Sequence, residues 1–355
     1  MTADRHSPAS EPPRVEGATR RMAVTIDDLP VVSVARSDLE AGWSTTRGLV
    51  DALAAHHIPA VGFVNDSKLM RDGERCEEQI GLLRAWLSAG LELGNHTFSH
   101  LDLHRVSVEA YQRDILLGDP LTRELLERHG RTLTYFRHPY LNTGRSVEVR
   151  HGVDGFLSRH GYRVAPVTIY LEDYVFAAAY DWALMLGNGP RAERVKRTYL
   201  AYVEANLAYY ETLSSRLFGR EIDQILLLHA NALNAGLLPE LASMIERRGY
   251  AYVTLDEALR DPAYGSDDSY TEAGISWLQR WALTRGLPAS FLDGEPETPR
   301  FVRRHARSPL RLALLRRVVR FREALRLRVK RPLARRLRRL LSRAASGATS
   351  RARSG

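Results

Sequence analysis

Short apolar runs alternate along the chain with longer segments in which apolar residues recur every three or four positions. The runs are rich in β-branched and large apolar residues and predict strands at residues 23–26, 60–64, 91–93, 134–136, 164–170, 225–228 and 252–255. The segments with helical spacing are residues 45–56, 77–89, 108–128, 147–160, 191–217 and 237–248. This alternation predicts a parallel sheet with helices outside it, because a crossover between parallel strands needs a connection of this length.

The repeated strand–helix units favour a closed sheet over an open one. With six or seven units and no GxGxxG turn after the first strand, the chain fits a distorted (β/α) barrel of about seven parallel strands better than a dinucleotide fold. In both folds the functional side chains lie at the carboxyl ends of the strands. We expect a disordered leader at residues 1–20, the barrel at 21–262, an extension packing on it at 263–299 and a helical basic tail at 300–355.

Composition bears on whether the chain can form a disulfide and on the compartment in which we expect it. With 355 residues, 44% of them hydrophobic, the chain can bury a large core, and its single cysteine, Cys76, excludes an intramolecular disulfide. No apolar run approaches the length of about 20 residues that a membrane-spanning helix needs. The first twenty residues contain no apolar stretch of the secretory type. We therefore expect a cytoplasmic protein, provided that no signal peptide lies upstream of this start.

Charge is divided unevenly between the body and the tail. The net charge is +9, yet residues 1–299 hold 31 basic and 41 acidic residues, and residues 300–355 hold 20 basic residues against one acid. Residues 309–329 place apolar side chains three or four positions apart between arginines, which predicts a cationic amphipathic helix. Such a helix suits the anionic inner face of a membrane, with nucleic acid as the less favoured partner, or it packs on the acidic body.

Two predicted strand ends carry side chains that bind metal ions. Asp27 and Asp28 close the first strand, and a divalent cation is the usual compensation for neighbouring buried carboxylates. His96 and His100 follow the third strand, and on a helical backbone these two imidazoles would face one ion. Each pattern alone also fits a solvated acid pair or two core histidines. His104 continues the spacing, but we expect it to follow the helix away from the site.

Taken together, the two motifs predict a catalytic metal site. One carboxylate and two imidazoles leave coordination positions open for water and substrate, which suits hydrolysis or, with iron, oxygen chemistry. The strand–helix alternation argues against the iron oxygenases, whose ligands usually come from antiparallel barrels. Asp27 and Asp28 are too close together to flank a glycosidic bond, which argues against a glycosidase. The leading hypothesis is a metal-dependent hydrolase of amides or esters.

Four short motifs resemble those of a known family. In chain order they are TIDD at residues 25–28, HTFSH at 96–100, RHPY at 137–140 and LLLHA at 226–230. Their order and spacing over residues 22–260 resemble the polysaccharide deacetylases with NodB homology, which form carbohydrate esterase family 4. The resemblance implies a distorted (β/α) barrel and an enzyme that removes acyl groups from sugars, usually N-acetyl groups from glucosamine units, with a divalent ion.

The resemblance also implies which residues bind the ion. It makes Asp28, His96 and His100 the metal ligands and Asp27 the base that takes a proton from water. Zinc is the preferred ion, with cobalt, nickel and manganese as alternatives.

Three further residues receive roles in the same way. The resemblance makes His229 the acid that protonates the leaving amine and Arg137 the partner that fixes Asp27 by a bidentate ion pair. Tyr140 is expected to bind substrate, as a wall of the site or in the loop whose backbone N–H stabilises the oxyanion.

The family has one more motif, counted as its fourth, which lies between the motifs seen here as RHPY and LLLHA. In this chain that fourth motif departs from its usual pattern. In the family, an acidic stretch after a strand ends in Asp-Trp, where an acid pairs with the arginine and the Trp forms a groove wall. Asp181 and Trp182 match these letters but lie deep in a predicted helix at residues 174–186. Asp173 directly follows the strand at 167–171, so we prefer Asp173 as the catalytic acid of this motif and keep Trp182 as a substrate-binding candidate.

The substrate and the oligomeric state stay open at this point. A cytoplasmic relative of such enzymes would act on an acylated sugar, on a soluble or lipid-linked sugar conjugate, or on a non-sugar amide. The alternative from another class of protein is a non-catalytic barrel that its basic tail tethers to an anionic membrane or to nucleic acid.

Overall fold

The fold is an αβ barrel built on parallel strands. A computed structural model describes residues 20–35 and 38–306. Their strands are β1 (Arg20–Leu29), β2 (Val61–Val64), β3 (Met70–Arg71), β4 (Glu74–Arg75), β5 (Glu92–Asn95), β6 (Tyr135–Phe136), β7 (Arg163–Val164), β8 (Gln224–His229) and β9 (Tyr250–Tyr252). Their helices are α1 (Leu39–Ala55), α2 (Glu77–Ser88), α3 (Val108–Leu117), α4 (Pro120–Glu127), α5 (Val147–Arg159), α6 (Asp173–Met185), α7 (Gly189–Phe218), α8 (Ala232–Arg247), α9 (Leu255–Ala258), α10 (Trp277–Thr284) and α11 (Arg300–Ala306).

The parallel strands curl into a nearly closed ring. The main sheet has the order β7-β6-β5-β2-β1-β8, with β9 paired to the start of β1, and every pairing in it is parallel. Ile169, which follows β7, forms a parallel bridge with Leu226 in β8. The chain after β7 therefore joins the far edge of the sheet, and the predicted distorted barrel is confirmed.

Each predicted strand corresponds to an observed one, but two predicted elements are broken. The predicted helix at residues 108–128 divides into α3 and α4 at Gly118 and Pro120, since proline cannot continue the hydrogen bonding of a helix. The predicted strand at 164–170 pairs only at its ends. The β3–β4 hairpin is antiparallel and lies outside the barrel, and its two-residue strands are too short to leave a pattern in the sequence.

The central strand β1 is buried on both faces. Its residues 22–27 are all buried, as expected where a parallel sheet is covered by helices or lies inside a barrel. This buried strand carries Asp27 and Asp28 to its carboxyl end, beside the end of β8 and two strands away from the end of β5. The barrel therefore places the sequence motifs at one end of the sheet.

Residues after β9 pack on the barrel. Trp277 and Trp281 of α10 are buried, and Val302 of α11 has no exposed surface. Residues 300–306 are thus part of the compact unit Met1–Ala306 rather than of the predicted tail. The predicted leader, apart from Arg20 in β1, and the predicted amphipathic helix at 309–329 with its membrane or nucleic-acid contact lie outside the described residues. Within the described part, no helix is both long and apolar enough to span a bilayer.

Candidate active site

Asp27 and Asp28 serve the same site because β1 is irregular at its end. The register between β1 and β2 shifts between Ile26 and Leu29, and Asp28 has a φ of 70°. In a regular strand neighbouring side chains point to opposite faces, whereas a bulge with a left-handed residue can redirect one of them. Aspartate tolerates this conformation better than most residues. The Asp28 carboxylate thereby comes within 3.7 Å of the His100 ring.

The two histidines meet without a helix, so the predicted helical backbone at HxxxH is wrong. His96 directly follows β5, and the next residues form a loop in which Thr97 and His100 have φ values of 62° and 58°. Asp114 of α3 holds this loop by accepting hydrogen bonds from the backbone N–H and hydroxyl of Ser99. The loop brings the two imidazole centroids to 4.9 Å from each other.

His104 does not join this cluster. The expected helix that would carry it away is absent, because residues 101–104 also lie in the loop. Its Nε2 instead accepts a hydrogen bond from the backbone N–H of Gly144 at 3.2 Å. His104 thus supports the loop that follows Tyr140.

Asp28, His96 and His100 form a group that fits a divalent ion. One ligand atom from each lies within 4.8 Å of the others, and no other group of three such residues occurs in the described chain. The Nδ1 of His96 donates a hydrogen bond to the carbonyl oxygen of Arg137 at 2.8 Å. This leaves Nε2 to face the carboxylates of Asp27 and Asp28. Burial lowers the pKa of both histidines, which keeps the rings neutral as metal ligation requires.

Lys68 borders the same group, although nothing in the sequence singled it out. Its Nζ donates a hydrogen bond to the carbonyl oxygen of Asp28 at 2.7 Å and lies 3.4 Å from the carboxylate oxygen Oδ1. Burial alone would raise the pKa of Asp28, but the charges of Lys68 and His229 hold it well below its usual range. The Lys68 cation therefore competes electrostatically with a metal ion for this carboxylate.

Asp27 lies beside the candidate metal ligands and pairs with the buried guanidinium of Arg137. One nitrogen of Arg137, Nη1, is 3.4 Å from both carboxylate oxygens of Asp27, while Nη2 donates to the Thr25 hydroxyl at 2.9 Å. The expected bidentate pair, with two nitrogens on the carboxylate, is therefore wrong. Burial raises the pKa of Asp27 to about 6, and Arg137 opposes that shift. A carboxylate of this pKa can accept a proton near neutral pH.

His229 ends β8 and lies next to Asp27 at the site. It is the register partner of Asp27 across β1 and β8. Its Nδ1 is 2.7 Å from the Asp173 carboxylate, which also accepts hydrogen bonds from the His229 backbone N–H at 2.8 Å and from the Asn234 amide at 2.6 Å. Burial works against a charge on His229, yet the fully buried Asp173 outweighs it and raises the pKa of His229 to about 9. The imidazole is therefore cationic at neutral pH.

The two candidates for the fourth motif have different partners. Asp173 contacts His229 rather than Arg137, so the expected pairing with the arginine is wrong. Asp181 accepts hydrogen bonds from the Ser33 hydroxyl and the Val34 backbone N–H, in the loop after β1. Trp182 is 5% exposed, which leaves it little surface for a substrate, and its role stays a prediction.

Two exposed tyrosines flank the polar residues. Tyr140 is 58% exposed and its ring lies 4.6 Å from that of His100. Tyr174 is 46% exposed and lies 5.8 Å from the ring of His229. The sequence did not predict Tyr174, because it matches no Asp-Trp pair, although an acid followed by an aromatic residue also occurs at Asp173 and Tyr174.

A comparison with protein families agrees with this geometry. Residues 14–156 match the family model described as polysaccharide deacetylase. Over these residues the chain is similar to polysaccharide deacetylases. The chain is a hydrolase of amide bonds, of the deacetylase type. The matched part of this deacetylase includes Asp27, Asp28, His96, His100 and Arg137, while Asp173 and His229 lie after it.

Solved structures that are similar to this chain include deacetylases and a pseudoenzyme. The chitin deacetylase of Colletotrichum lindemuthianum is 21% identical to this chain. The match covers 70% of this chain and 91% of the chitin deacetylase, with a TM-score of 0.46. A mutant of the peptidoglycan deacetylase PdaC of Bacillus subtilis is 22% identical, with coverages of 69% and 93% and a TM-score of 0.43. The family 4 pseudoenzyme BA3943 of Bacillus anthracis is 14% identical, with coverages of 68% and 66% and a TM-score of 0.43.

Proposed function

We propose that this deacetylase removes N-acetyl groups from an amino sugar or sugar conjugate with the help of one divalent ion, preferably zinc. The observation that carries the proposal is the convergence of Asp28, His96 and His100 next to a second carboxylate and a cationic histidine. A structural ion would need only the ligands. A separate base and a separate acid around an open three-ligand group are what hydrolysis requires.

The ligand group fits zinc by its chemistry. Two neutral imidazoles and one carboxylate are donors that zinc, cobalt, nickel and manganese accept in catalytic sites, and they leave room for water and substrate. When bound, such an ion polarises an acyl carbonyl and acidifies water. Asp28 would hold the ion together with His96 and His100, while Asp27 stays available for proton transfer.

Asp27 supplies the base in this proposal. Its carboxylate lies 3.7 Å from His96 Nε2, next to the ligand group, and Arg137 keeps it oriented from the buried side. It takes the proton of the attacking water and remains next to Arg137, which limits the cost of changing its charge in a buried place.

His229 supplies the acid. Its Nδ1 proton is held by Asp173, so Nε2 carries the proton that is available to the substrate. Donation to the leaving amine nitrogen prevents expulsion of an amide anion. Asp173 then serves as a positioning residue that keeps the imidazole cationic before each turnover.

The two flanking tyrosines support a ring-shaped substrate. Tyr140 lies next to His100 and Tyr174 lies next to His229, and each presents an exposed apolar ring with a hydroxyl. A sugar offers both apolar C–H faces and hydroxyl groups, so this pair suits it better than it suits an extended aliphatic amide.

Metal content and hydrolysis of two variants test the proposal. The purified chain should bind about one divalent ion, and Asp28→Ala should lose the ion, since one of its three ligands disappears. Asp27→Asn should keep the ion and lose acetate release by about a hundredfold or more, because the base is gone. Asp72→Asn, at an exposed turn of the β3–β4 hairpin, is the control and should match the original chain in both measurements.

The substrate panel should contain acetylated amino sugars, their oligomers and simple non-sugar amides. Acetate release from sugars at normal rates by Asp27→Asn would contradict the assignment of the base. A chain that binds the ion but hydrolyses nothing in the panel would favour the non-catalytic alternative, and preference for simple amides would overturn the sugar assignment.

A further inference from the structure

The turn that carries Tyr140 has an unusual backbone. Within the 3₁₀ turn Pro139–Leu141, Tyr140 has a φ of 58° and Leu141 a φ of 55°. Two successive left-handed residues are uncommon when neither is glycine, and they persist only where the surroundings enforce them. Because the Tyr140 ring lies against His100, the shape of this turn sets one border of the active site.

A distant segment contacts the backbone of this turn at Gly274. A Cβ atom at Gly274 would overlap the carbonyl oxygen of Tyr140 and lie 2.7 Å from the Cβ of Leu141. The backbone N–H of Gly274 donates a hydrogen bond to the Asn142 side chain at 2.8 Å, and that side chain donates in turn to Asp102 at 2.7 Å. Only glycine lets the two backbones approach so closely.

Arg280 of α10 also contacts this turn and the residues that follow it. It is 1% exposed, and its guanidinium donates to the carbonyl oxygen of Leu141 at 3.3 Å and to the Thr143 hydroxyl at 2.6 Å. Its charge is balanced by Asp268, 2.8 Å away. A second buried arginine, Arg150 of α5, contacts Thr143 and the carbonyl oxygens of residues 268 and 270. The two arginines therefore connect the turn to residues 268–280.

We propose that residues 268–280 form a clamp that positions the Tyr140 turn for catalysis, with Gly274 as the positioning residue. The inference rests on the proposed function, in which Tyr140 borders the substrate, and on the sequence-based expectation that a backbone N–H of this loop stabilises the oxyanion that forms at the acyl carbonyl. A donor of this kind contributes only when it is fixed before the charge develops. The clamp lies outside residues 14–156, so it is a feature of this chain beyond the part that matches the family model.

The contacts indicate positioning rather than general packing. They converge on main-chain atoms of residues 140–141 and on the side chains of the two residues that follow. Ser276 and Trp277, close to Gly274 in the chain, bond the carbonyl oxygens of Thr168 and Val167. The clamp is thereby anchored to the strand region that closes the barrel, which gives the turn a fixed support.

Gly274→Ala tests the clamp, with Gly265→Ala as the matched control. Both glycines lie in the same extension and have φ values outside the left-handed range, so alanine meets no backbone strain of its own. A Cβ at Gly265 has no heavy atom within 4 Å, whereas one at Gly274 must displace the turn. The readouts are hydrogen exchange of residues 139–144, kcat and KM for acetate release, and zinc affinity by calorimetry.

We expect faster exchange in residues 139–144 for Gly274→Ala and a kcat lower by about a hundredfold, with KM and zinc affinity close to those of the control. Unchanged exchange, or a kcat within about twofold of the control, would overturn the clamp. A parallel loss of zinc affinity would also overturn it, because that result would mean a general collapse of the site.

A second variant covers the case in which Gly274→Ala does not fold. Asn142→Ala removes the acceptor for the Gly274 N–H without inserting any atom, and it should shift exchange and kcat in the same direction by a smaller factor. If the original chain and the control hydrolyse no substrate, the proposed function fails. The exchange measurement still decides whether residues 268–280 hold the turn.

Discussion

At the scale of single residues, a few charges decide what the side chains of the site can do. Three charged side chains each pair with a residue that would act on the metal or the substrate. The pairs are Lys68 with Asp28, Arg137 with Asp27, and Asp173 with His229. Each is mostly or fully buried, so water screens it little and its influence on the neighbouring group is large. Two of these influences can be measured separately.

Lys68→Met should increase the affinity of the site for divalent ions. Removing a cation 3.4 Å from the Asp28 carboxylate takes away a repulsion that a bound ion would feel, and we expect a dissociation constant for zinc lower by about tenfold or more. Calorimetric titration measures it. Lys196→Met removes a lysine on α7 that pairs with Glu193 and should change nothing. An unchanged affinity would mean that the Lys68 charge does not reach the ion.

Asp173→Asn should move the alkaline limb of the activity profile to lower pH. His229 acts in its protonated form, and its pKa of about 9 means that activity is lost as the pH rises through that value. Without the Asp173 charge, burial of the imidazole dominates and the pKa falls, so we expect the limb of kcat/KM to shift down by about 1 to 3 units. Asp181→Asn, the other candidate for the fourth motif, is the control. A limb that stays in place in Asp173→Asn would show that His229 is not the acid.

At the scale of elements, the site depends on where helices and loops begin. α6 starts at Asp173 itself, and the residue before it, Glu172, accepts hydrogen bonds from Thr298 and from Arg303 of α11. The helix that carries the partner of His229 is therefore fixed at its first residue by the end of the described chain. The loop from His96 to His100 depends in the same way on α3, through Asp114.

Truncation tests the contribution of α11. A chain that ends at residue 299 loses the buried Val302, the Arg303–Glu172 pair and the stacking of Arg194 on Phe301, compared with a chain that ends at residue 306. Burial of one apolar side chain contributes about 1.5 to 3 kcal/mol, so the shorter chain should melt several degrees lower. Thermal unfolding of the two chains measures this. Equal melting temperatures would show that α11 adds no stability to the body.

At the scale of the whole molecule, the barrel explains why residues from distant parts of the sequence act together. Asp27, His96 and His229 end three strands of one parallel sheet, so closing the sheet gathers them at one edge. The segment after β9 then returns to this edge and supports it at Gly274 and Arg303. The body thus includes residues up to 306, beyond the end that the sequence pattern predicted for the barrel.

The sequence by itself determined the order of strands and helices along the chain and the residue types at the site. Strand–helix periodicity is local, so it was readable for each of the seven barrel strands, and metal-binding residues at strand ends were recognisable by their chemistry. The contacts between distant residues were decided only by the tertiary structure. Lys68 carries no motif, His96 and His100 meet through a loop with left-handed residues instead of a helix, and Asp173 contacts His229 instead of Arg137. Those outcomes depend on backbone positions set by packing, which no local pattern encodes.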